Sequence, residues 1–378
     1  MDRGHEDDAD EARADEIADA LALERAMRAD GGGPQDIPID RSSSPHPYAS
    51  LTPERVLDAL ESVGNRCDGR LLTLNSYENR VYLVGLEDGS QCVAKFYRPE
   101  RWSDAQILEE HRFVDALAML EIPVVPARID DAGVSLHHHD GFRFAQFDRR
   151  GGRAPEIESR DTREWLGRFI GRIHALGGAV AYVERPALDL ATFGHEPLQW
   201  IVDHRIVPAP LDGVWAGVVE QALVAIAACE ARAGPSRMVR LHGDCHVGNI
   251  LWTETQSSSA GSQPGGPHFV DFDDSRMGPA LQDLWMLLSG TRDEMTRQLA
   301  DLLAGYRQFN PFDPCELHRL EALRTLRMIH YSAWLARRWD DPAFPAAFPF
   351  FGSEHYWQNQ ILALREQLSA MDEPPLRP

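Results

Sequence analysis

The chain has 378 residues, 43% hydrophobic and 26% charged, which excludes a wholly disordered or fibrous protein and suits two lobes. A net charge of −21 repels phosphate backbones and anionic lipid, so nucleic acid and membrane surfaces are excluded as main partners and any phosphate site must be built locally. The longest apolar run, 222–229, has 8 residues, against roughly 18 for a membrane span. With no apolar leader and five scattered cysteines lacking a C-x-x-C pair, the expectation is a cytoplasmic monomer with reduced thiols.

Residues 1–50 carry 13 acidic side chains against 5 arginines, with Gly/Pro and Ser/Pro runs, and read as a mostly disordered tail. Thr52-Pro53 then caps a helix reaching about Val63. Strands are expected at 70–75, 79–86 and 90–96, the last two joined across Glu87-Asp88-Gly89. A helix over 103–120 follows, then strands at 134–138 and 142–147 flanking His139-Asp140-Gly141. Beyond Gly152 the periodicity is helical: Trp165, Leu166, Phe169, Ile170, Ile173 and Leu176 repeat until Gly177-Gly178. Further helices fit 213–232, 280–290, 293–309, 314–339 and 354–371. Short strands fit 238–241, 250–252 and 268–271, with a Ser/Gly/Pro-rich flexible loop at 253–267.

The densest polar cluster is His242-Gly243-Asp244-Cys245-His246-Val247-Gly248-Asn249, followed after a strand by Asp271-Phe272-Asp273-Asp274. A carboxylate and an amide five apart, plus a second carboxylate, suit Mg²⁺, which wants oxygen ligands and takes substrate phosphates. Phosphoryl transfer uses such a set: one aspartate orients the acceptor hydroxyl while the amide and the other aspartate hold the metal. His242-x-Asp244-x-His246 is also open to a transition-metal hydrolase reading. His137-His138-His139 looks like a metal tract, but strand alternation and the D-G turn favour a solvated hairpin. Cys245 beside Asp244 reads as a structural thiol.

The run from His242 to Asn249 with Asp271 resembles the catalytic loop and metal aspartate of the aminoglycoside and choline phosphotransferase branch of the protein-kinase-like fold. Residues 74–82, 95–102 and 242–252 are similar, more closely, to bacterial serine/threonine protein kinases of that branch tied to stress response, and the resemblance covers about residues 51–375. It implies an α+β, bilobal protein-kinase-like fold: a small antiparallel-sheet lobe at 51–147 and a mostly helical lobe at 148–378, with ATP in the cleft. By that resemblance Asp244 is catalytic and Asn249 and Asp271 hold Mg²⁺. Lys95 contacts the ATP phosphates, and Glu110, preferred to Glu109, is its ion-pair partner. Ser76 lies in the nucleotide-covering loop, the backbone around Gln146-Phe147-Asp148 meets the adenine edge, and Asp283 hydrogen-bonds the catalytic-loop backbone.

Three departures stand out. Asn75-Ser76-Tyr77-Glu78-Asn79 replaces a G-x-G-x-x-G loop, so backbone N–H groups and the Ser hydroxyl must serve the phosphates. His242-Gly243-Asp244 replaces H-R-D, and Asp271-Phe272-Asp273 lacks the D-F-G glycine, which speaks against activation by a phosphorylated loop. The expected partners are ATP and a protein carrying the acceptor Ser or Thr. The alternatives are a small-molecule phosphotransferase for an amino alcohol, sugar or antibiotic, and a catalytically silent nucleotide-binding scaffold.

Overall fold

The computed structural model describes residues 46–74, 76–254, 256–258, 261–263 and 265–378. The acidic tail expected to be disordered lies outside the described residues up to position 45. The chain divides into two units, one formed by the described residues 46–153 with Ile250–Asp273, the other by Ala154–Asn249 with Asp274–Pro378. This differs from the expected borders at 51 and 147.

The first unit begins with α1 (Pro53–Glu61), where the Thr52 hydroxyl caps the first turn and Val56, Ala59 and Leu60 form the buried face. Strands β1 (Cys67–Leu74), β2 (Arg80–Leu86), β3 (Gln91–Phe96), β4 (His137–His139) and β5 (Phe142–Asp148) form one sheet, ordered β1-β2-β3-β5-β4. Every pairing is antiparallel. Both expected D-G turns close hairpins, with φ of 82° at Gly89 and 82° at Gly141. Helix α2 (Asp104–Met119) starts with reciprocal bonds between Ser103 and Gln106, a capping box.

Strand alternation places the key lysine. Cys92, Ala94 and Phe96 pack with the buried face of α1, while Tyr97 packs on the other side with Ile107 of α2 and Ala145 of β5. Lys95, between Ala94 and Phe96 on the central strand, therefore shares Tyr97's side.

Residues 250–273 belong with this unit because β10 (Gly266–Phe269) pairs with β7 (Ile250–Thr253), and the Phe269 N–H donates to the Pro123 carbonyl at 2.8 Å. Part of the stretch expected to be a flexible loop is instead a ladder, with β8 (Gln256–Ser258) pairing antiparallel with β9 (Gly261–Gln263). The buried Tyr48, whose hydroxyl donates to the Phe96 carbonyl at 3.1 Å, extends the unit ahead of position 51.

The second unit holds α3 (Arg160–Gly177), α4 (Glu196–Asp203), α5 (Ala209–Ala233), α6 (Leu281–Trp285), α7 (Arg292–Tyr306), α8 (Leu320–Ala336), α9 (Ala343–Ala347) and α10 (Glu354–Asp372). A two-stranded ladder joins β6 (Met238–Arg240) to β11 (Met277–Pro279). Helices α3 and α7 approach backbone to backbone: a Cβ on Gly305 would lie 1.9 Å from the Glu164 carbonyl oxygen, so only glycine fits.

Three helical expectations need correction. The helix expected over 280–290 ends at Trp285, the one expected over 314–339 opens as a 3₁₀ turn, Pro314–Arg319, and α4 with its π turn Ala191–His195 was not anticipated. Counting uninterrupted runs also understated α5. By length and composition this helix is apolar enough to cross a membrane, while its Trp215 is buried edge-to-face against Trp357 of α10, ring centres 5.5 Å apart.

Candidate active site

The residues singled out in the sequence fall into two groups, one in each unit. In the sheet unit Lys95 is 8% exposed, and its ammonium donates to Asp271 Oδ1 at 2.8 Å and lies 3.3 Å from Asp273 Oδ1. Burial alone would lower the Lys95 pKa, yet Asp271 and Asp273, helped by Tyr97 and Glu110, hold it well above the ordinary lysine value. Glu110 is buried on α2 whereas Glu109 is only half-buried, so Glu110 is the carboxylate that bears on this charge.

Asp271 follows β10 with φ of 61°, a left-handed conformation that aspartate tolerates better than most residues. Its side chain is half exposed, leaving oxygen toward solvent beyond the Lys95 bond. Asp273 is buried in the 3₁₀ turn Phe272–Asp274 and takes Arg101 as well as Lys95. Arg101 also reaches Glu78 at 3.6 Å, and the Arg98 N–H donates to Asn79 Oδ1 at 3.0 Å. The β1–β2 loop is thereby tied to the segment after β3. Within that loop the Ser76 hydroxyl donates to the Asn79 carbonyl at 3.3 Å, a turn-forming bond. Phe147 pairs with Val93 across β3 and β5 and sets its ring against His111, while the neighbouring Gln146 carbonyl accepts from Arg128 N–H at 2.7 Å.

In the helical unit the loop from His242 to Asn249 hangs on Asp283 of α6. Asp283 Oδ2 accepts the His242 N–H at 2.7 Å, Oδ1 accepts the Gly243 N–H at 2.9 Å, and His174 Nε2 lies 2.9 Å from Oδ2. Burial works to raise the Asp283 pKa, but His174, the His242 ring and the Gly243 N–H keep it below the usual carboxylate value. The expected role of Asp283 as anchor of the loop backbone is met. Gly243 has φ of 93° and a Cβ there would meet the Asp274 carbonyl at 2.1 Å, so the loop bends where only glycine fits.

The bend presents Asp244, whose Oδ1 lies 2.8 Å from Arg327 Nη2 and whose Oδ2 lies 3.4 Å from His246 Nε2. Although burial pushes its pKa up, Arg327 and His246 hold it well below the ordinary value, so it is ionised at neutral pH. Asn249 Nδ2 donates to the Asp244 carbonyl at 2.9 Å, which turns the donor half of the amide inward and leaves Oδ1 as the half it can offer a cation. His242 Nδ1 accepts the Asp244 N–H at 3.3 Å, so this histidine braces the loop. Among the described residues no group of three or more His, Cys, Asp or Glu is placed to hold a metal. Cys245 is buried, its thiol pushed up by burial, Asp283 and Asp244, as befits a structural thiol. On the hairpin His137 is buried and His138 exposed, as alternation requires.

Asp271 in one unit and Asn249 in the other each carry an oxygen of the hard kind that Mg²⁺ or Ca²⁺ takes. Sequence reasoning missed Asp273, Arg101, Glu78 and Arg327. The first three lie inside or beside quoted motifs, so charge clustering was a signal; Arg327 lies on a helix with no motif and gave none.

A model of the phosphotransferase enzyme family matches residues 71–323. Stress response kinase A of Escherichia coli (strain K12) is 41% identical over 336 residues, covering 89% of this chain and 98% of that protein. The serine/threonine protein kinase RdoA of Salmonella typhimurium is 42% identical over 330 residues, covering 87% and 96%. Among solved structures, the amicoumacin kinase hAmiN in complex with AMP-PNP, Ca²⁺ and Ami aligns with a TM-score of 0.65 at 18% identity, over 86% of this chain and 95% of that one. A microcompartment-associated aminopropanol kinase gives 0.61 at 18%, over 85% and 99%. These structures share the α+β protein-kinase-like fold. From the matched family model and the identity that runs through almost the whole of its relatives, the chain belongs to the phosphotransferase enzyme family, on the branch of the stress response kinase A proteins.

Proposed function

We propose that the chain transfers the γ-phosphoryl group of ATP to Ser or Thr hydroxyls of protein substrates in a bacterial stress response, with Mg²⁺ as its metal. The observation that carries this reading is the 41% identity over 336 residues, spanning 89% of this chain and 98% of stress response kinase A. A cytoplasmic setting goes with it, where ATP is available and all five cysteines persist as thiols.

In this reading Asp244 hydrogen-bonds the acceptor hydroxyl and receives its proton as the new bond forms. Its depressed pKa makes it chiefly an orienting group, as suits a loose transition state that demands little of a base. Lys95 brings a fixed positive charge to the phosphates, held in place by buried carboxylates, with Glu110 behind it. Asn249 and Asp271 would hold the Mg²⁺, which when bound offsets charge on the β- and γ-phosphates. Ser76 and its loop backbone cover the nucleotide, and the backbone beside Phe147 takes the adenine edge. A small-molecule acceptor is the second reading, favoured by the fold shared with an antibiotic kinase and an amino-alcohol kinase.

Incubation of the full chain with labelled ATP and Mg²⁺, with generic proteins and separately with a metabolite panel, tests it. Label on Ser or Thr is expected; label confined to a metabolite establishes the second reading. Asp244→Ala is expected to abolish transfer in a folded protein that still binds ATP, and activity within tenfold of wild type would remove Asp244 from its role.

A further inference from the structure

Arg327 stands on the third turn of α8, a helix that no sequence motif reaches. Its closest approach to Asp244 is from Nη2 to Oδ1, at 2.8 Å. Its Nε is buried and has no hydrogen-bond partner. A guanidinium paired with a carboxylate often closes its fork on both oxygens. Here the second oxygen of Asp244 faces His246 instead, so Arg327 keeps donors unused. The side chain is 24% exposed, which leaves it room to reach a ligand.

The charges around it point the same way. His330, one turn along α8, is kept neutral by burial and by Arg276, Arg338 and Arg327. Its ring stacks on Phe193, and Arg276 is matched by Asp274 at 2.9 Å. Arg276, Arg338 and Arg327 all bring positive charge to His330, and a guanidinium whose Nε is unpartnered is suited to an anion.

The chemistry identifies the anion. A hydroxyl oriented by Asp244 sits about 2.7 Å from the carboxylate, and its oxygen is the atom that bonds to phosphorus in the transfer. A guanidinium docked on that same carboxylate is adjacent to the equatorial oxygens of the moving group. We propose that Arg327 is a catalytic residue that donates hydrogen bonds to the phosphoryl group in flight, an arginine finger supplied in cis from α8. The inference rests on the reading of Asp244 as the acceptor-orienting residue and ATP as the donor. In the step, the bond between the acceptor oxygen and phosphorus forms as the bond from phosphorus to the β-phosphate oxygen breaks. ADP leaves, the hydroxyl proton passes to Asp244, and Arg327 keeps its proton throughout.

The test compares full-length Arg327→Ala and Arg327→Lys with wild type, after thermal melting has established which variants fold. For Arg327→Ala, kcat on a generic protein substrate is expected to fall by about 10²–10⁴, with KM for ATP changed by less than about threefold and partial recovery in millimolar guanidinium. Arg327→Lys, which keeps the charge but loses the planar fork, is expected to fall less. A second readout needs no turnover: ADP with aluminium fluoride, a mimic of the transferring group, should be retained by wild type and lost by Arg327→Ala, while ADP alone binds both alike. A kcat within tenfold of wild type overturns the proposal. So does an unrescued loss with trapping intact, which reduces Arg327 to a positioning residue for Asp244. A wild type that transfers no phosphoryl group overturns the functional reading itself, and this inference with it, whereas a dead variant beside an active wild type bears on Arg327 alone.

Discussion

Asp273 and Asp283 are both almost wholly buried, and each fastens a loop that carries a candidate site residue, yet they do so with opposite partners. Asp273 faces side-chain cations, Lys95 and Arg101. Asp283 faces two backbone N–H groups and a histidine. A buried carboxylate must be compensated either way. Cations compensate it through charge, so the same contact holds those cations at fixed positions. N–H groups compensate it through direction, so the contact fixes the shape of a loop. The sheet unit thus uses its buried aspartate to place charge, and the helical unit uses its own to place backbone.

The sharpest way to break this contrast is Asp283→Ala, which strands the His242 and Gly243 N–H groups and His174 with no acceptor. Loss of stability of about 3–5 kcal/mol is expected in urea titration. A loss under about 1 kcal/mol would show that water replaces the carboxylate and that the loop keeps its shape unaided.

Asp273→Asn should cost less, about 2 kcal/mol, because Lys95 retains Asp271 and Arg101 retains Glu78. Its larger signature should appear in function: ATP affinity changes while the helical unit is untouched, read by nucleotide titration beside thermal melting. Unaltered ATP affinity would mean that Asp273 is structural only.

A double-mutant cycle sharpens the comparison within the sheet unit. Lys95→Met combined with Asp273→Asn should couple by about 1–2 kcal/mol in unfolding free energy, more than Lys95→Met with Glu110→Gln, and Glu109→Gln should show no coupling. Equal coupling for all three carboxylates would remove any special place for Asp273.

Acid gives the smallest effect. The Asp283 carboxyl is held below its ordinary value in the folded chain, so its contribution is complete above the unfolded value near ~3.9 and is lost as pH falls through the folded one. Wild type should therefore lose stability more steeply than Asp283→Asn below about pH 4, by at most ~1.4 kcal/mol per pH unit. Taking the difference between the two proteins cancels Asp244, whose carboxyl is also depressed. Parallel pH profiles would contradict the anchoring bonds.

Much of this arrangement is legible in the order of residues along the chain. The hairpins around Gly89 and Gly141 and the capping box at Ser103 are local signals, and they place Lys95 on a central strand followed by the helix that carries Glu110. His242 to Asn249 is contiguous, so its loop bends wherever the glycine lies. Asp283 is reached by resemblance. What is not legible depends on partners far along the chain. Asp273 reads as one of three acidic residues after a strand, and nothing local says that it takes Lys95 and Arg101, 172 residues from the latter. The association of 250–273 with the sheet unit rests on Phe269 bonding Pro123, and the β8–β9 ladder sits where Ser, Gly and Pro suggested a flexible hairpin loop.

By itself the sequence indicated the strands of the main sheet, most of the longer helices, the turn positions and the candidate carboxylates and lysine. Periodicity, turn chemistry and a contiguous motif are properties of neighbours along the chain. Only the tertiary structure decided which charges compensate one another: Lys95 with Asp271 across 176 residues, and Arg327 with Asp244. Those choices follow from burial, since an ionised group withdrawn from water is tolerated only where the fold brings its counter-charge or its hydrogen-bond donors to within a few ångströms.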